Sequence, residues 1–140
     1  MASLIYNSFR KKIQDGSIDL DTDTIKVALV TSTYSPNQDS HDFFDDVTNE
    51  VVGTGYTAGG ATLANKTITQ DNTNDRGVFD ADDTSWTTST ITARAAVIYK
   101  STGSAATSAL IAYVDFTTDK VTDAGTFLIT WHANGILYLA

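Results

Sequence analysis

Residues 90–116 decide the fold; they read TITARAAVIYK, then STGSAATS, then ALIAYVDF. In the first arm one face holds Ile91, Ala93, Ala95, Val97 and Tyr99. The second arm alternates in the same way, and one of its faces holds Leu110, Ala112, Val114 and Phe116. Apolar side chains that repeat with a period of two are typical of β-strands. The stretch therefore predicts a β-hairpin whose small-residue segment, residues 101–108, is a surface loop.

Apolar residues also occupy the second face of this hairpin. Ile98 and Ile111 lie on that face, close to the turn. Strands that are apolar on both faces belong to a sheet that is covered on both sides. The rest of the chain must supply those two covers.

Composition indicates one globular domain. The chain has 140 residues, of which 41% are hydrophobic and 19% charged, and its net charge is −8. This length suits a single domain with a real core. The negative charge argues against nucleic acid as a partner, because no basic patch is available to replace phosphate counterions. The sequence has no cysteine, which excludes disulfides and thiolate zinc sites.

The N-terminal region predicts the one helix, over residues 3–14. Ser3 is the expected N-cap and Gly16 the expected C-terminal stop. The charges of this region follow its apolar residues, which is the reverse of a secretory signal and predicts synthesis in the cytoplasm. No stretch is apolar and long enough to span a membrane. The side chains at helical spacing are Leu4, Ile5, Phe9 and Ile13.

The remaining elements are mainly strands. We expect them at residues 24–32, 61–70, 77–86 (with a kink at Asp82 and Asp83), 126–131 and 136–139. Residues 45–52 fit either a short helical turn or an edge strand. The predicted fold is a mainly β domain, an antiparallel β-sandwich or barrel-like fold with one N-terminal α-helix. Residues 1–140 form a single domain, with the helix at 3–14 and the β-domain at 24–140.

The C-terminal stretch predicts a second hairpin. Asn134 and Gly135 form the strongest short turn signal, so residues 136–139 should pair antiparallel with residues 126–131. This last strand is apolar on both faces. It should therefore be a central strand, or else its second face or free edge should contact a neighbouring subunit. The second possibility predicts a homo-oligomer.

Two segments are expected to be exposed contact elements, because their aromatic residues stand among polar residues or glycines. They are residues 34–44 and the glycine-rich loop at residues 53–60, which reads GTGYTAGG. The loop lacks the Lys-Ser/Thr ending of a phosphate-binding P-loop and leads into a strand, so a phosphate site is not expected. The candidate interface residues are Tyr34, Phe43, Phe44, Tyr56, Ile136 and Tyr138.

Neither a metal site nor a cofactor is expected. The run of Asp19, Asp21 and Asp23 resembles the start of a calcium loop, but Thr24 and Val30 stand where glycine and glutamate are needed. This acidic run, like residues 80–83, is better explained as a solvated turn.

Catalysis is not expected either. His41 and His132 show no ligand spacing, and no nucleophile, base and acid occur in a recognisable arrangement. Arg94 lies in an otherwise apolar strand. It should form a structural ion pair or, alternatively, contact a neighbouring subunit.

A set of stretches runs through nearly the whole chain: DLDTDTIKVALVTS at 19–32, HDFFDDV at 41–47, GTGYTAGGATL at 53–63, FDADDTSW at 79–86, STITARAAVIYK at 89–100, LIAYVDF at 110–116 and WHANGIL at 131–137. Together they resemble a family of small structural proteins encoded by tailed bacteriophages. The resemblance implies a virion component rather than an enzyme, and it carries over no catalytic or ligand-binding residue.

The expected function is a virion structural protein, in the first place a capsid decoration (cement) protein that binds the assembled head. Its expected partners are other virion proteins, with the major capsid protein first, and no nucleic acid or membrane. The alternative is a tail, neck or fibre-associated module that binds a receptor or glycan. In either case the protein is made in the bacterial cytoplasm and located in the virion.

Overall fold

The computed structural model describes residues 2–140 and, over that range, contains one α-helix and ten β-strands. The helix α1 is Asn7–Gln14. Single 3₁₀ turns lie at Phe44–Asp46 and Ala105–Thr107. The strands are β1 Leu4–Ile5, β2 Ile25–Val30, β3 Ala61–Thr62, β4 Thr67–Asp71, β5 Arg76–Asp80, β6 Thr84–Ser89, β7 Thr92–Lys100, β8 Leu110–Val121, β9 Gly125–Ile129 and β10 Leu137–Leu139.

The predicted hairpin is confirmed and lies at the centre of the largest sheet. β7 and β8 pair antiparallel, with Val97 opposite Tyr113. The full sheet has the order β1-β8-β7-β2-β3, and all its pairs are antiparallel. The loop between the two arms is mostly exposed, as expected.

Both faces of this sheet are covered, as the apolar residues on both faces of the hairpin predict. One face packs on a large core, and the other packs on a smaller core that is rich in tyrosine. The large core includes Phe9, Ile25, Leu29, Phe79, Trp86, Ile98, Ile111 and Phe127. The small core includes Tyr6, Val30, Tyr34, Val97, Tyr99, Leu110 and Tyr113.

A bulge in β8 breaks the simple alternation that the sequence predicts for β7. The register shifts between Ala93 and Ala95, which face Lys120 and Asp115, so that residues 116–119 of β8 stand opposite one residue of β7. Thr117, inside the bulge, has a positive φ of 71°. Ala93 therefore belongs to the large core and Ala95 to the small core, although the sequence placed them on one face.

A second irregularity changes the faces of β8. Ile98 pairs with Ala112, but the next residue, Tyr99, pairs with Leu110. The extra residue, Ile111, turns Leu110 towards the small core, while Ala112 stays in the large core. The predicted common face of Leu110 and Ala112 is therefore wrong.

The second layer of the sandwich consists of two smaller sheets. One has the order β10-β5-β4 and the other pairs β6 with β9. They cover the large core with Phe79, Trp86, Phe127 and Leu137. The observed fold is thus mainly β and sandwich-like with one N-terminal helix, as the sequence predicts.

The helix begins later than predicted. Leu4 and Ile5 form β1, which pairs with β8, and Tyr6 takes the N-cap position without a side-chain cap. Ser3 is not the cap, because its hydroxyl accepts the backbone N–H of Asp115 at 2.9 Å. Apolar residues before a helix can extend a sheet when an edge is available, and helical spacing alone does not reveal that edge. Gly16 has a φ of 80°, as expected for a residue that ends a helix.

The two long strands predicted at residues 61–70 and 77–86 are each divided between sheets. β3 joins β2 in the large sheet, whereas β4 pairs with β5 in the second layer. The chain crosses between the layers around Asn65, which has a φ of 52°. The predicted kink at Asp82 and Asp83 lies at the break between β5 and β6.

The C-terminal pairing is also different. Gly135 has the left-handed backbone of a turn, with a φ of 93°, but β10 pairs with β5 and not with β9. A Cβ at Gly135 would lie 2.8 Å from the carbonyl oxygen of Phe79, so the turn packs closely against β5. Leu137 is buried, while Tyr138 and Leu139 are 48% and 54% exposed. Leu137 and Leu139 share one face of β10, which is therefore covered at Leu137 and open at its C-terminal end, while Tyr138 is exposed on the other face.

Candidate interaction surfaces

Tyr34 is buried, so its expected exposure is wrong. Its side chain is 3% exposed and belongs to the small core. The hydroxyl lies 2.9 Å from the Tyr6 hydroxyl and 2.9 Å from Nδ1 of His41. The ring also stacks on the His41 ring, with 5.7 Å between centroids. The segment from Tyr34 to Phe43 therefore covers the small-core face of the large sheet.

The hydrogen bonds of this cluster have a defined direction. The backbone N–H of Asn37 donates to His41 Nδ1 at 3.2 Å, so that nitrogen is an acceptor. Tyr34 must then donate to His41, and Tyr6 must donate to Tyr34. Burial is the largest cause that raises the pKa of Tyr6 and of Tyr34, so both hydroxyls stay protonated.

Phe43 and Phe44 are half-buried and hold the same cover in place. Phe44 stacks on Tyr99 with 4.1 Å between ring centroids, and the Lys12 ammonium lies 4.5 Å from the centre of the Phe43 ring. Phe43 forms an isolated bridge with Ala109. These contacts make the two rings part of the fold rather than free anchors.

The glycine-rich loop is pinned and does not display Tyr56. The Tyr56 hydroxyl donates to Glu50 Oε2 at 2.6 Å and accepts the Leu29 N–H at 2.9 Å. Gly59 N–H donates to the same carboxylate oxygen at 2.7 Å, and the Tyr99 hydroxyl donates to the Gly59 carbonyl at 2.5 Å. Tyr56 is thus half-buried, and the expectation that this loop exposes it as a contact element is wrong.

The sequence contained one signal for this arrangement. Glu50 is the only glutamate among the 17 acidic residues. It stands three residues before the loop and forms a β-bridge with Val30, which places its carboxylate beside Tyr56. An unusual acidic residue next to a glycine-rich loop is a candidate anchor for the backbone N–H groups of that loop.

The aspartates of residues 19–23 form a turn, as the sequence predicts. The Thr22 side chain is the largest cause that lowers the pKa of Asp19, and the N–H groups of Asp21 and Thr22, which donate to its carboxylate, lower it further. Asp23 pairs with Lys100 at 3.0 Å. Over residues 2–140, no group of three or more histidine, aspartate or glutamate side chains is arranged to hold a metal ion.

Arg94 forms the predicted structural ion pair. Its Nε lies 3.3 Å from Asp115 and one terminal nitrogen lies 3.7 Å from Asp119. Asp115 directly precedes the bulge of β8 and Asp119 is its last residue, so Arg94 braces the bulge from the neighbouring strand.

One open part of the surface lies between β8 and β9. The two strands leave a short turn at residues 122–124 and then diverge, because β8 pairs with β7 and β9 pairs with β6. The gap encloses a cavity of about 330 Å³. Two side chains on its walls are well exposed, Val121 at 68% and Leu128 at 57%. We call this cavity and the one described next, taken together, the seam. This cavity is the upper section of the seam, and it is lined by Phe116, Lys120–Thr122 and residues 126–130.

A second cavity, of about 770 Å³, is lined by earlier residues of β8 and by the chain that follows β9. It lies between β1 and β8 on one wall and the turn and strand at residues 132–138 on the other. Ile136 and Tyr138, two of the predicted interface residues, line it. We call it the lower section; its other lining residues are Ser3–Ile5, Arg10, Gln38, Ala112–Val114, His132, Asn134, Gly135 and Leu137.

The seam differs in charge from the rest of the surface. The chain carries 17 acidic residues, yet none of the described residues that line either section is acidic. Lys120 lies in the upper section, and Arg10 and His132 lie in the lower section. On a chain with a net charge of −8, the seam is a local region of positive or neutral character.

Comparisons with known proteins identify no relative: no family model, curated protein or solved structure matches this chain. The helix α1 has eight residues, and no helix in the described part of the chain is long and apolar enough to cross a membrane.

Proposed function

We propose that the protein is a structural component of a tailed-bacteriophage virion and that it binds the assembled head as a decoration protein. The observation that carries this proposal is the seam. Its walls are strand edges with exposed apolar side chains, which suit a polypeptide partner better than a small substrate. The resemblance of the sequence to phage structural proteins supports the same class.

In this proposal the role is structural and not enzymatic. The polar groups best suited to chemistry are engaged in holding the fold. Glu50 accepts hydrogen bonds from Tyr56 and Gly59, and His41 Nδ1 accepts from Tyr34 and Asn37. A catalytic acid or base needs a proton or a lone pair that is available to the substrate.

The alternative, a tail or fibre module that binds a receptor or glycan, has less support. It relied on exposed aromatic side chains. Among the six candidate interface residues Tyr34 is buried, Phe43, Phe44, Tyr56 and Ile136 are half-buried, and Tyr138 is exposed. A head-binding role requires no such row of aromatic rings.

We also propose that the protein self-associates. β4 and β10 each have one edge without a strand partner among residues 2–140, and open edges promote pairing between chains. Static light scattering on the purified protein tests this part. A mass of two or more chains supports it, and a monomer at every concentration contradicts it.

The copy number in the particle tests the main proposal. Virions of the phage that encodes the chain are purified, and the protein is quantified against the major capsid protein by mass spectrometry. A decoration protein occurs in a fixed, high ratio to the capsid protein. A few copies per particle would assign it to the tail or neck, and complete absence would overturn the proposal.

A further inference from the structure

We propose that the seam takes up an extended, acidic segment of another virion polypeptide, which adds to the open sheet edges as a further strand. This inference rests on the proposed function and deepens it, because it names the binding surface and the chemistry of the partner. Strand addition gives affinity through main-chain hydrogen bonds, and side-chain pockets give it specificity.

The lining of the seam shows that strand edges, not strand faces, border it. Successive side chains of a strand point to opposite faces, so a cavity over one face is lined by every second residue. The upper section is instead lined by the consecutive residues 126–130 on one wall and by Lys120–Thr122 on the other. Only a cavity that lies alongside the edge of a strand contacts consecutive residues in this way.

The backbone of β8 points into the upper section at Val121. Ile91 and Thr122 exchange both of their backbone hydrogen bonds, at 3.3 and 2.9 Å, across the β7–β8 pair. In an antiparallel pair the next residue directs its N–H and C=O to the opposite side. Val121 therefore presents both groups to the seam, beside its exposed side chain.

The outer edge of β1, in contrast, is covered by a side chain and is not available for pairing. Tyr6 bonds to Ile111 across the β1–β8 pair, so Ile5 directs its carbonyl outward. That carbonyl already accepts the Gln38 side-chain amide at 2.7 Å. Natural proteins cover exposed edges in this manner to prevent pairing. Within residues 2–140, no comparable side-chain hydrogen bond covers the edge at Val121 or the edge of β9.

Charge selects the kind of segment. Lys120 in the upper section and Arg10 in the lower section place one permanent cation in each half of the seam, and no carboxylate lines either half. An acidic segment would pair with these cations, while a basic segment would be repelled. Between its charges the segment should carry small apolar or β-branched side chains, which fit against Val121 and Leu128.

Peptide binding tests the surface without reference to the virion. The probe is a short soluble peptide of alternating valine and threonine with a glutamate at each end. Two controls are the same peptide with lysine ends and the same peptide with alternate amides N-methylated. In NMR titrations of the full chain, the acidic peptide should shift the amide signals of residues 120–130. Each control should bind at least about tenfold more weakly, because the first lacks the negative charges and the second lacks half of the main-chain N–H donors.

Matched variants of the protein sharpen this test. Val121→Asp places a carboxylate in the upper section and should weaken the acidic peptide about tenfold. Val52→Asp is its control, because Val52 is 97% exposed and lies outside both sections. Arg10→Glu should weaken binding, and Lys11→Glu, on the same helix but outside the lining, should not.

The outcomes are distinct. Shifts at residues 120–130 that depend on the acidic ends and on free amides support the inference. Shifts elsewhere, equal binding of the N-methylated peptide or no binding overturn it. Loss of self-association in Val121→Asp would also overturn it, because a second copy would then occupy the seam. If the peptide binds but the protein is absent from virions, the proposed function fails while the binding surface stands.

Discussion

At the scale of single residues, polar groups on aromatic side chains hold the loops to the sheet. Tyr56 joins Glu50 to the Leu29 backbone, and Tyr99 holds the Gly59 carbonyl. From the sequence we expected these loops to be exposed contact elements, because an aromatic residue stands among glycines there. The sequence does not show whether a hydroxyl finds a buried partner, since that partner comes from a strand 27 residues away in the Leu29–Tyr56 bond.

Tyr56→Phe tests this interpretation of the loop. The substitution keeps the ring but leaves the Glu50 carboxylate and the Leu29 N–H without their shared partner. Loss of such a bond should lower the free energy of unfolding by about 1–3 kcal/mol in urea titrations. Tyr138→Phe, at an exposed ring, should change it by less than about 0.5 kcal/mol. Equal effects of the two substitutions would show that the hydroxyl of Tyr56 does not hold the loop.

The buried tyrosines predict a loss of stability in alkali. Burial, followed by the Glu50 charge, raises the pKa of Tyr99 from 10.0 to about 12, and burial also raises the pKa of Tyr6 and of Tyr56. Because the folded-state pKa is raised, this stabilisation is complete below pH 10 and is lost as the pH rises through about 12. Urea titrations over this window should show a steep fall. The fall should be smaller in Tyr99→Phe, and an identical fall in that variant would contradict the assignment.

At the scale of elements, the sequence predicted the strands better than their partners. The β7–β8 hairpin and the strand β2 follow from period-two patterning, and the structure confirms both. The division of residues 61–70 between two sheets and the pairing of β10 with β5 were missed. Periodicity describes which side chains share a face, but a crossing between layers depends on contacts that are distant in sequence.

Gly60 and Gly103 form a matched pair for the pinned loop. Both have positive φ, 78° and 89°, so alanine is strained at either position. A Cβ at Gly60 would lie 1.8 Å from the Val27 carbonyl oxygen, whereas Gly103 has open space. Gly103→Ala should therefore cost about 1 kcal/mol and Gly60→Ala at least about 3 kcal/mol. Equal costs, measured by thermal or urea unfolding, would contradict the close approach of the loop to β2.

Leu137 and Leu139 test how β10 is covered. Leu137 is buried against the large core, while Leu139 is 54% exposed. Leu137→Ala should lower the free energy of unfolding by about 2–5 kcal/mol. Leu139→Ala should lower it by less than about 1 kcal/mol in the isolated chain. If Leu139→Ala is equally costly, the C-terminal end of this face is covered in solution, and the exposure of Leu139 described above is wrong.

At the scale of the whole molecule, a central sheet is covered on both faces, and the sandwich is left open along one side. The small core and the large core close the two faces of β7 and β2. The seam along β8 remains open, with exposed apolar side chains and no lining carboxylate among the described residues. Open strand edges on a packed scaffold are well suited to hold a segment of a larger assembly. The sequence predicted the covered sheet, but the seam arises from the divergence of β8 and β9, which their separate partners cause.

A density map of the phage particle to which we propose that this chain belongs tests the central claim most directly. We predict copies of the protein in a regular array on the assembled head, each with an extended acidic segment of a neighbouring protein in the seam beside Val121 and Leu128. A particle that lacks the protein would contradict the proposed function. A particle that carries the protein with its seam facing solvent would contradict the binding surface.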